Sequence, residues 1–223
     1  MLGTFLLILP FAAAGALSPM MLTEQTVLLA TADGRRCAAR YALGAFLTLF
    51  IFAGLATLLG RAISLPTEPS LSATLDIVFG AGLLCLAVAV RYVKGRSPDT
   101  SRRKQRDSRL RSMSPRQAFG FGFFSMATNV TTLAVVLPAA KIVAASGIGL
   151  AERVPLEISI ALIASTPAWL PVALAKIAPG PTRRALDWIR SLIENHGRDL
   201  VIAALAALGL FLVIRGIFEA ASL

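Results

Sequence analysis

The chain is poor in the residues that most catalytic and metal sites use. It has one histidine, two cysteines and only 15% charged residues among 223, whereas about a quarter of the residues in a soluble domain are charged. His196 has no clustered cysteine or histidine for a zinc site, and its loop offers only Ser191 as a nucleophile. Cys37 and Cys85 form no Cys-x-x-Cys pair and are predicted to lie at different depths, which argues against a disulfide or a redox relay. We therefore expect no enzyme activity, no metal and no other cofactor.

Long apolar segments fill most of the chain. Hydrophobic residues make up 56% of it, and the mean hydropathy is +0.73. A membrane-spanning helix needs about 20 apolar residues, and six segments qualify: 2–31, 38–60, 75–93, 117–145, 154–178 and 199–221. The sequence predicts an all-α integral membrane protein with six transmembrane helices in a single domain over residues 1–223.

Helix-breaking and polar residues interrupt the first and fourth spans at corresponding places, at residues 15–19 and 127–132. Lipid cannot hydrogen-bond a loosened backbone, so such breaks must be buried in protein or line a wet cavity. Paired breaks in two halves of a chain are typical of a transporter's binding site. The predicted substrate-binding residues are therefore Ser18, Pro19, Asn129, Thr131 and Thr132, and we expect Ser18 and Asn129 to lie within about 20 Å, two helix diameters.

The fifth span contains two prolines. Pro167 and Pro171 lack backbone donors and follow Ser165 and Thr166, which predicts a kink at this point. A kinked helix can act as a hinge between its two halves.

The two halves of the chain resemble each other. The octet from Leu84 to Arg91 is similar to the octet from Leu208 to Arg215, and each closes the third span of its half. With three spans per half, the halves are predicted to be inverted repeats. Repeat one covers about 1–93, a basic cytoplasmic loop covers 94–116, and repeat two covers about 117–223.

The distribution of basic residues predicts the orientation. Seventeen Lys or Arg residues lie in the connections on one side of the predicted bundle and three on the other. By the positive-inside rule, both termini lie outside the cytoplasmic membrane. The net charge of +10 is thereby explained without a nucleic-acid partner. The loop 94–116 is predicted to attract anionic lipids, at about 1 kcal/mol per basic residue; the alternative is a solvated loop.

Four ionisable residues lie within or beside apolar spans, where such residues are functional candidates. Glu24 and Arg40 are predicted to pair toward the cytoplasm, and Glu157 and Lys141 toward the outside. One pair on each face predicts two gates that alternate during transport. The alternative is that these are packing salt bridges, or side chains that reach along the helix to the interface.

Short motifs spread over nearly the whole chain resemble those of one family: Leu17-Ser18-Pro19, Gly34-Arg35-Arg36, the Asn129 break, the run Pro181-Thr182-Arg183-Arg184-Ala185, Trp188, His196 and Gly209. This is the sulfolipid-1-addressing (GAP-like) family of the lysine-exporter superfamily. The resemblance implies a six-span transporter-type protein of actinobacterial envelopes that moves or localises glycolipids. Exporters of the superfamily often carry Asn-Pro-Lys at the fourth-span break, whereas here Val130 and Thr131 follow Asn129.

The function predicted from the residues and the resemblance is secondary transport, or flippase-like export, of a lipid, glycolipid or other amphiphile by alternating access. One alternative is an amino-acid or cation exporter of the same superfamily. Another is a non-catalytic assembly partner of envelope-lipid synthesis. A second copy of the chain and the proteins of envelope-lipid synthesis are the candidate protein partners.

Overall fold

The computed structural model describes residues 1–31, 33–63, 69–92, 100–177 and 179–221, with the side chains of residues 69, 100–104, 106 and 179–195 outside the description. Within these ranges the chain is helical and contains no strand, which confirms the all-α prediction. The helices are α1 (Leu2–Gly15), α2 (Pro19–Leu29), α3 (Gly34–Ala62), α4 (Pro69–Tyr92), α5 (Thr100–Arg111), α6 (Pro115–Ala127), α7 (Val130–Ala145), α8 (Leu150–Ala164), α9 (Thr166–Ile177) and α10 (Pro179–Ala221).

Within the described ranges, three stretches are long and apolar enough to cross a membrane as single helices: Gly34–Ala62, Ser70–Tyr92 and His196–Ala221. Six further helices form three bent pairs, α1 with α2, α6 with α7 and α8 with α9, whose bend angles are 60°, 70° and 73°. Counting each bent pair as one span gives up to six spans by length and composition. The chain is thus a multi-pass helical membrane protein.

The bends fall where the sequence predicted them. The first lies between Gly15 and Pro19, and the second between Ala127 and Val130. The third lies at Ser165, two residues before Pro167, which has no N–H to donate to the preceding turn. All three predicted interruptions are therefore confirmed.

The basic segment 94–116 differs from the predicted loop, because α5 forms within it. Arg, Lys and Gln are good helix formers, and buried Leu110 fixes the helix against the apolar core. The prediction that this segment attracts anionic lipids falls largely outside the described residues, since residues 93–99 and several α5 side chains are not described.

Contacts between helix ends define two faces of the bundle. The starts of α3 and α6 lie side by side at one end of the bundle. There the Cys37 thiol donates to the Met113 carbonyl at 3.4 Å. At the same end Arg198 of α10 donates to the Val90 carbonyl near the end of α4. We call this end the basic face, because the predicted basic connections join helices here. At the opposite face, Arg61 near the end of α3 donates to the Ile148 carbonyl at 3.0 Å.

The buried apolar residues form two clusters, one on each side of the bends. From the three bent pairs, α1, α7 and α8 pack with α3, α4 and α10 in the larger cluster. The other members of these pairs, α2, α6 and α9, pack with α3 and α5 in the smaller cluster, toward the basic face. The three bends therefore lie between two separately packed layers.

Glycine permits close packing of α3 against α6, which gives the first testable prediction. A Cβ on Gly122 would meet the carbonyl oxygen of Tyr41, with the Tyr41 carbonyl carbon and Cα at 3.0 Å. Gly122→Ala is therefore expected to lower the free energy of unfolding in detergent by about 1–3 kcal/mol. Gly120→Ala on the same helix is the matched control, because its Cβ would meet nothing within 4 Å. Equal stability of the two variants would contradict this packing.

Candidate functional site

The two predicted breaks meet inside the bundle. The Ser18 side chain caps α2 by accepting from the backbone N–H of Met21 at 3.5 Å, and the Asn129 side chain caps α7 by accepting from that of Thr132 at 3.2 Å. Asn129 Nδ2 also donates to Ser18 Oγ at 3.3 Å. The predicted proximity of Ser18 and Asn129 is confirmed. Caps of this kind satisfy amide groups freed by a break, which is why the breaks tolerate apolar surroundings.

A cavity of about 610 Å³ lies at the breaks. All five predicted substrate-binding residues line it: Ser18, Pro19, Asn129, Thr131 and Thr132. Apolar side chains of α1, α7 and α10 form much of the remaining wall. This volume lies in the range of about 300–1,000 Å³ that small-molecule sites occupy. The cavity thus combines apolar walls with a few polar groups at the breaks.

Arg198 supplies the cavity with a cation on the side of the basic face. Its guanidinium donates to the Val90 carbonyl at 3.1 and 2.8 Å and to the Arg91 carbonyl at 2.7 Å. These bonds hold the arginine over the end of α4. Arg198 was not among the predicted site residues, although a basic residue directly before the last span was a visible signal.

Glu24 has partners that differ from the predicted one. Its side chain is fully buried, and its carboxylate accepts from the Tyr41 hydroxyl at 2.6 Å and from the Ser125 hydroxyl at 3.1 Å. The predicted partner, Arg40, is exposed and lines a different cavity. The Glu24–Arg40 pairing is therefore wrong, because Arg40 and Tyr41 lie on different sides of α3. Glu24 links α2 with α3 and α6.

Lys141 also pairs differently from the prediction. Its ammonium lies 2.8 Å from Asp76 Oδ1 and donates to Ser72 Oγ at 2.8 Å. Both members of the ion pair are buried, with 2% and 0% of their side chains exposed. Arg215 approaches the same carboxylate, with Nε 3.6 Å from Oδ2. The cluster joins α4, α7 and α10 near the opposite face.

Glu157, the predicted partner of Lys141, lies elsewhere. Its carboxylate is 3.6 Å from Arg153 Nε, one turn earlier on α8, and it lies beside the Thr57 hydroxyl of α3. The Glu157–Lys141 pairing is therefore wrong. The packing of α4 presents Asp76, and not Glu157, to the Lys141 ammonium.

Asp76 and Arg215 were not among the predicted gating residues. Both stand inside predicted spans, at the second position of 75–93 and near the end of 199–221. Charged residues inside spans are functional candidates, so both could have been found. Among the residues that the structure describes, no group of three His, Cys, Asp or Glu side chains forms a metal site.

Apolar helices that enclose a cavity at paired mid-helix breaks define a multi-pass membrane protein with an internal cavity. A family model described as Sap, sulfolipid-1-addressing protein, matches residues 8–218. The chain belongs to this family, and the resemblance seen in its motifs is thereby confirmed. No curated protein and no solved structure matches the chain. The description of the family names the addressing of a sulfolipid.

Proposed function

We propose that this protein is a secondary transporter or flippase-like exporter that moves a glycolipid or another amphiphile across the cytoplasmic membrane. The single observation that carries the proposal is the cavity of about 610 Å³ at the meeting point of the two broken spans. The proposed protein has six spans arranged as two inverted three-helix repeats of the lysine-exporter type. Its function is binding and movement, without a catalytic step.

The lining of the cavity supports an amphiphilic substrate. Apolar walls favour an acyl chain, because burial of apolar surface yields about 25 cal/mol per Å². The hydroxyl and amide groups of Ser18 and Asn129 can bind the polar part of the same molecule. Arg198 adds a positive charge at the edge of the cavity, which favours an anionic head group. Thr131 and Thr132 also line the cavity and are proposed to bind the substrate.

Two buried polar clusters support an alternating mechanism, in which each closes one side of the cavity. The cluster of Lys141 and Asp76 closes the opposite face, and Glu24 with its hydroxyl partners joins α2 to α3 and α6 toward the basic face. The described conformation has Arg198 and the end of α4 at the cavity, so its substrate site is proposed to face the basic side. Glu157 and Arg40 belong to neither cluster. They are proposed to influence the gates only indirectly, through the positions of α8 and α3.

The direct test compares lipids of inner and outer envelope fractions from cells with and without the gene. The expected result is accumulation of one lipid class in the inner fraction when the gene is absent. Transport of that lipid by the purified protein in liposomes then separates an exporter from an assembly partner. An unchanged lipid profile with altered amino-acid or metal tolerance would favour the alternative exporter of amino acids or cations.

The proposed orientation is tested by cysteine labelling of intact cells. We predict that an impermeant maleimide labels Glu152→Cys, on the opposite face, but not Ser112→Cys, on the basic face, because positive charge is retained in the cytoplasm. Both positions are exposed. The background carries Cys37→Ala and Cys85→Ala, which removes the native thiols. Labelling of Ser112→Cys without labelling of Glu152→Cys would show that the orientation is the opposite of the proposed one.

A further inference from the structure

A second cavity, of about 520 Å³, lies at the basic face between the beginnings of α3 and α6. Its described lining consists of Arg40, Ser114, Pro115, Arg116 and Phe119. None of these residues lines the cavity at the breaks. The second cavity is therefore a separate site, and the proposed transport cycle does not use it.

The two arginines of this cavity carry the charge that a ligand would neutralise. Arg40 and Arg116 are both exposed, and neither forms an ion pair or hydrogen bond in the part of the chain that the structure describes. Two neighbouring guanidinium groups repel each other unless an anion lies between them. Their planar donor groups match the oxygen atoms of a phosphate.

The arginine side chains, rather than the helix end, supply these donors. At the start of α6 the Ser114 hydroxyl accepts from the backbone N–H of Gln117 at 3.4 Å, and the Ser114 N–H donates to the Gln117 side chain at 2.8 Å. Pro115, the first residue of α6, has no N–H to offer. The capping box thus satisfies the amides of Ser114 and Gln117, and ligand binding depends on the side chains of Arg40 and Arg116.

The depth and the apolar part of the cavity indicate a lipid. α3 and α6 begin here, at the end of apolar segments, where the head groups of a bilayer lie. Half-buried Phe119 and Pro115 add apolar surface beside the two arginines. A free inorganic anion has no apolar part that could pack against this surface, whereas a phospholipid presents a phosphate and a glycerol–acyl segment together.

We propose that this cavity binds the phosphate of an anionic glycerophospholipid between Arg40 and Arg116, with the glycerol and the first acyl carbons against Phe119. The bound lipid connects α3 with α6. The same two helices contribute Tyr41 and Ser125, which hold the Glu24 carboxylate. Lipid binding therefore stabilises the association of α3 with α6, independently of which substrate occupies the other cavity.

The test measures lipid binding to the purified, delipidated full chain by native mass spectrometry. Phosphatidylglycerol is expected to bind more tightly than phosphatidylcholine with the same acyl chains. Arg40→Gln/Arg116→Gln should weaken phosphatidylglycerol binding by about tenfold or more, which corresponds to at least about 1.4 kcal/mol, because the charge-assisted hydrogen bonds to the phosphate are lost. Phosphatidylcholine binding should fall less than phosphatidylglycerol binding, because its choline cation offsets the charge of the same phosphate.

The matched control is Arg35→Gln/Arg36→Gln, which removes the same charge from two exposed arginines at the start of α3 that do not line the cavity. It should retain phosphatidylglycerol binding. An equal loss of phosphatidylglycerol binding in both double variants would show general charge attraction and would contradict a specific site. Unchanged binding in both variants would also contradict the site. Displacement of phosphatidylglycerol by an equal concentration of inorganic phosphate would overturn the lipid assignment. The single variant Arg116→Gln decides the question if the double variant does not fold.

Discussion

Lys141→Met is expected to lower the free energy of unfolding by about 3 kcal/mol, the lower end of the range for breaking a buried ion pair. The ammonium of Lys141 lies 2.8 Å from the fully buried Asp76. Its removal leaves the carboxylate with Arg215 alone, whose Nε is 3.6 Å away and whose side chain is 30% exposed. The measurement is unfolding in mixed detergent micelles, followed by circular dichroism.

The second substitution in a double variant identifies the true partner. Asp76→Asn added to Lys141→Met should restore most of the lost stability, because the uncompensated charge is gone. Glu157→Gln added to Lys141→Met should restore none, since Glu157 lies beside Arg153 instead. The opposite pattern, with rescue by Glu157→Gln, would support the pairing that the sequence predicted.

Ala204→Trp is expected to abolish export. Ala204 lines the cavity at the breaks from α10, so an indole at this position occupies the space of the proposed acyl chain. Loss should exceed about 90% of wild-type export, because overpacking by a whole ring leaves the substrate without a cavity of its own size. The measurement is the lipid content of the outer envelope fraction in cells that carry only the variant gene.

The neighbouring residue supplies the control for this experiment. Ala203 is exposed on α10 and does not line the cavity, so Ala203→Trp places the same ring against lipid. This variant should export normally and accumulate to the same level in the membrane. Normal export by Ala204→Trp, at equal protein level, would remove the cavity from the proposed pathway.

The sequence determined the apolar spans and their interruptions, because both depend on local properties. Long apolar runs predict spans. Ser18 followed by Pro19 is a helix start, Asn129 can cap a new helix, and Pro167 ends the preceding hydrogen-bond ladder. Each of these signals acts within one turn of its own residue. The places of all three bends could therefore be predicted without knowledge of any tertiary contact.

Only the tertiary structure decided which charged residues meet. Successive residues point in directions about 100° apart around a helix, so the rotation of each helix against its neighbours selects the partner. This rotation places Asp76 rather than Glu157 at Lys141, and Tyr41 rather than Arg40 at Glu24. It is set by packing over whole helices, including the close approach of α3 and α6 at Gly122. Neither depth along a span nor sequence order contains this information, and for that reason both predicted ion pairs were wrong while the predicted break site was right.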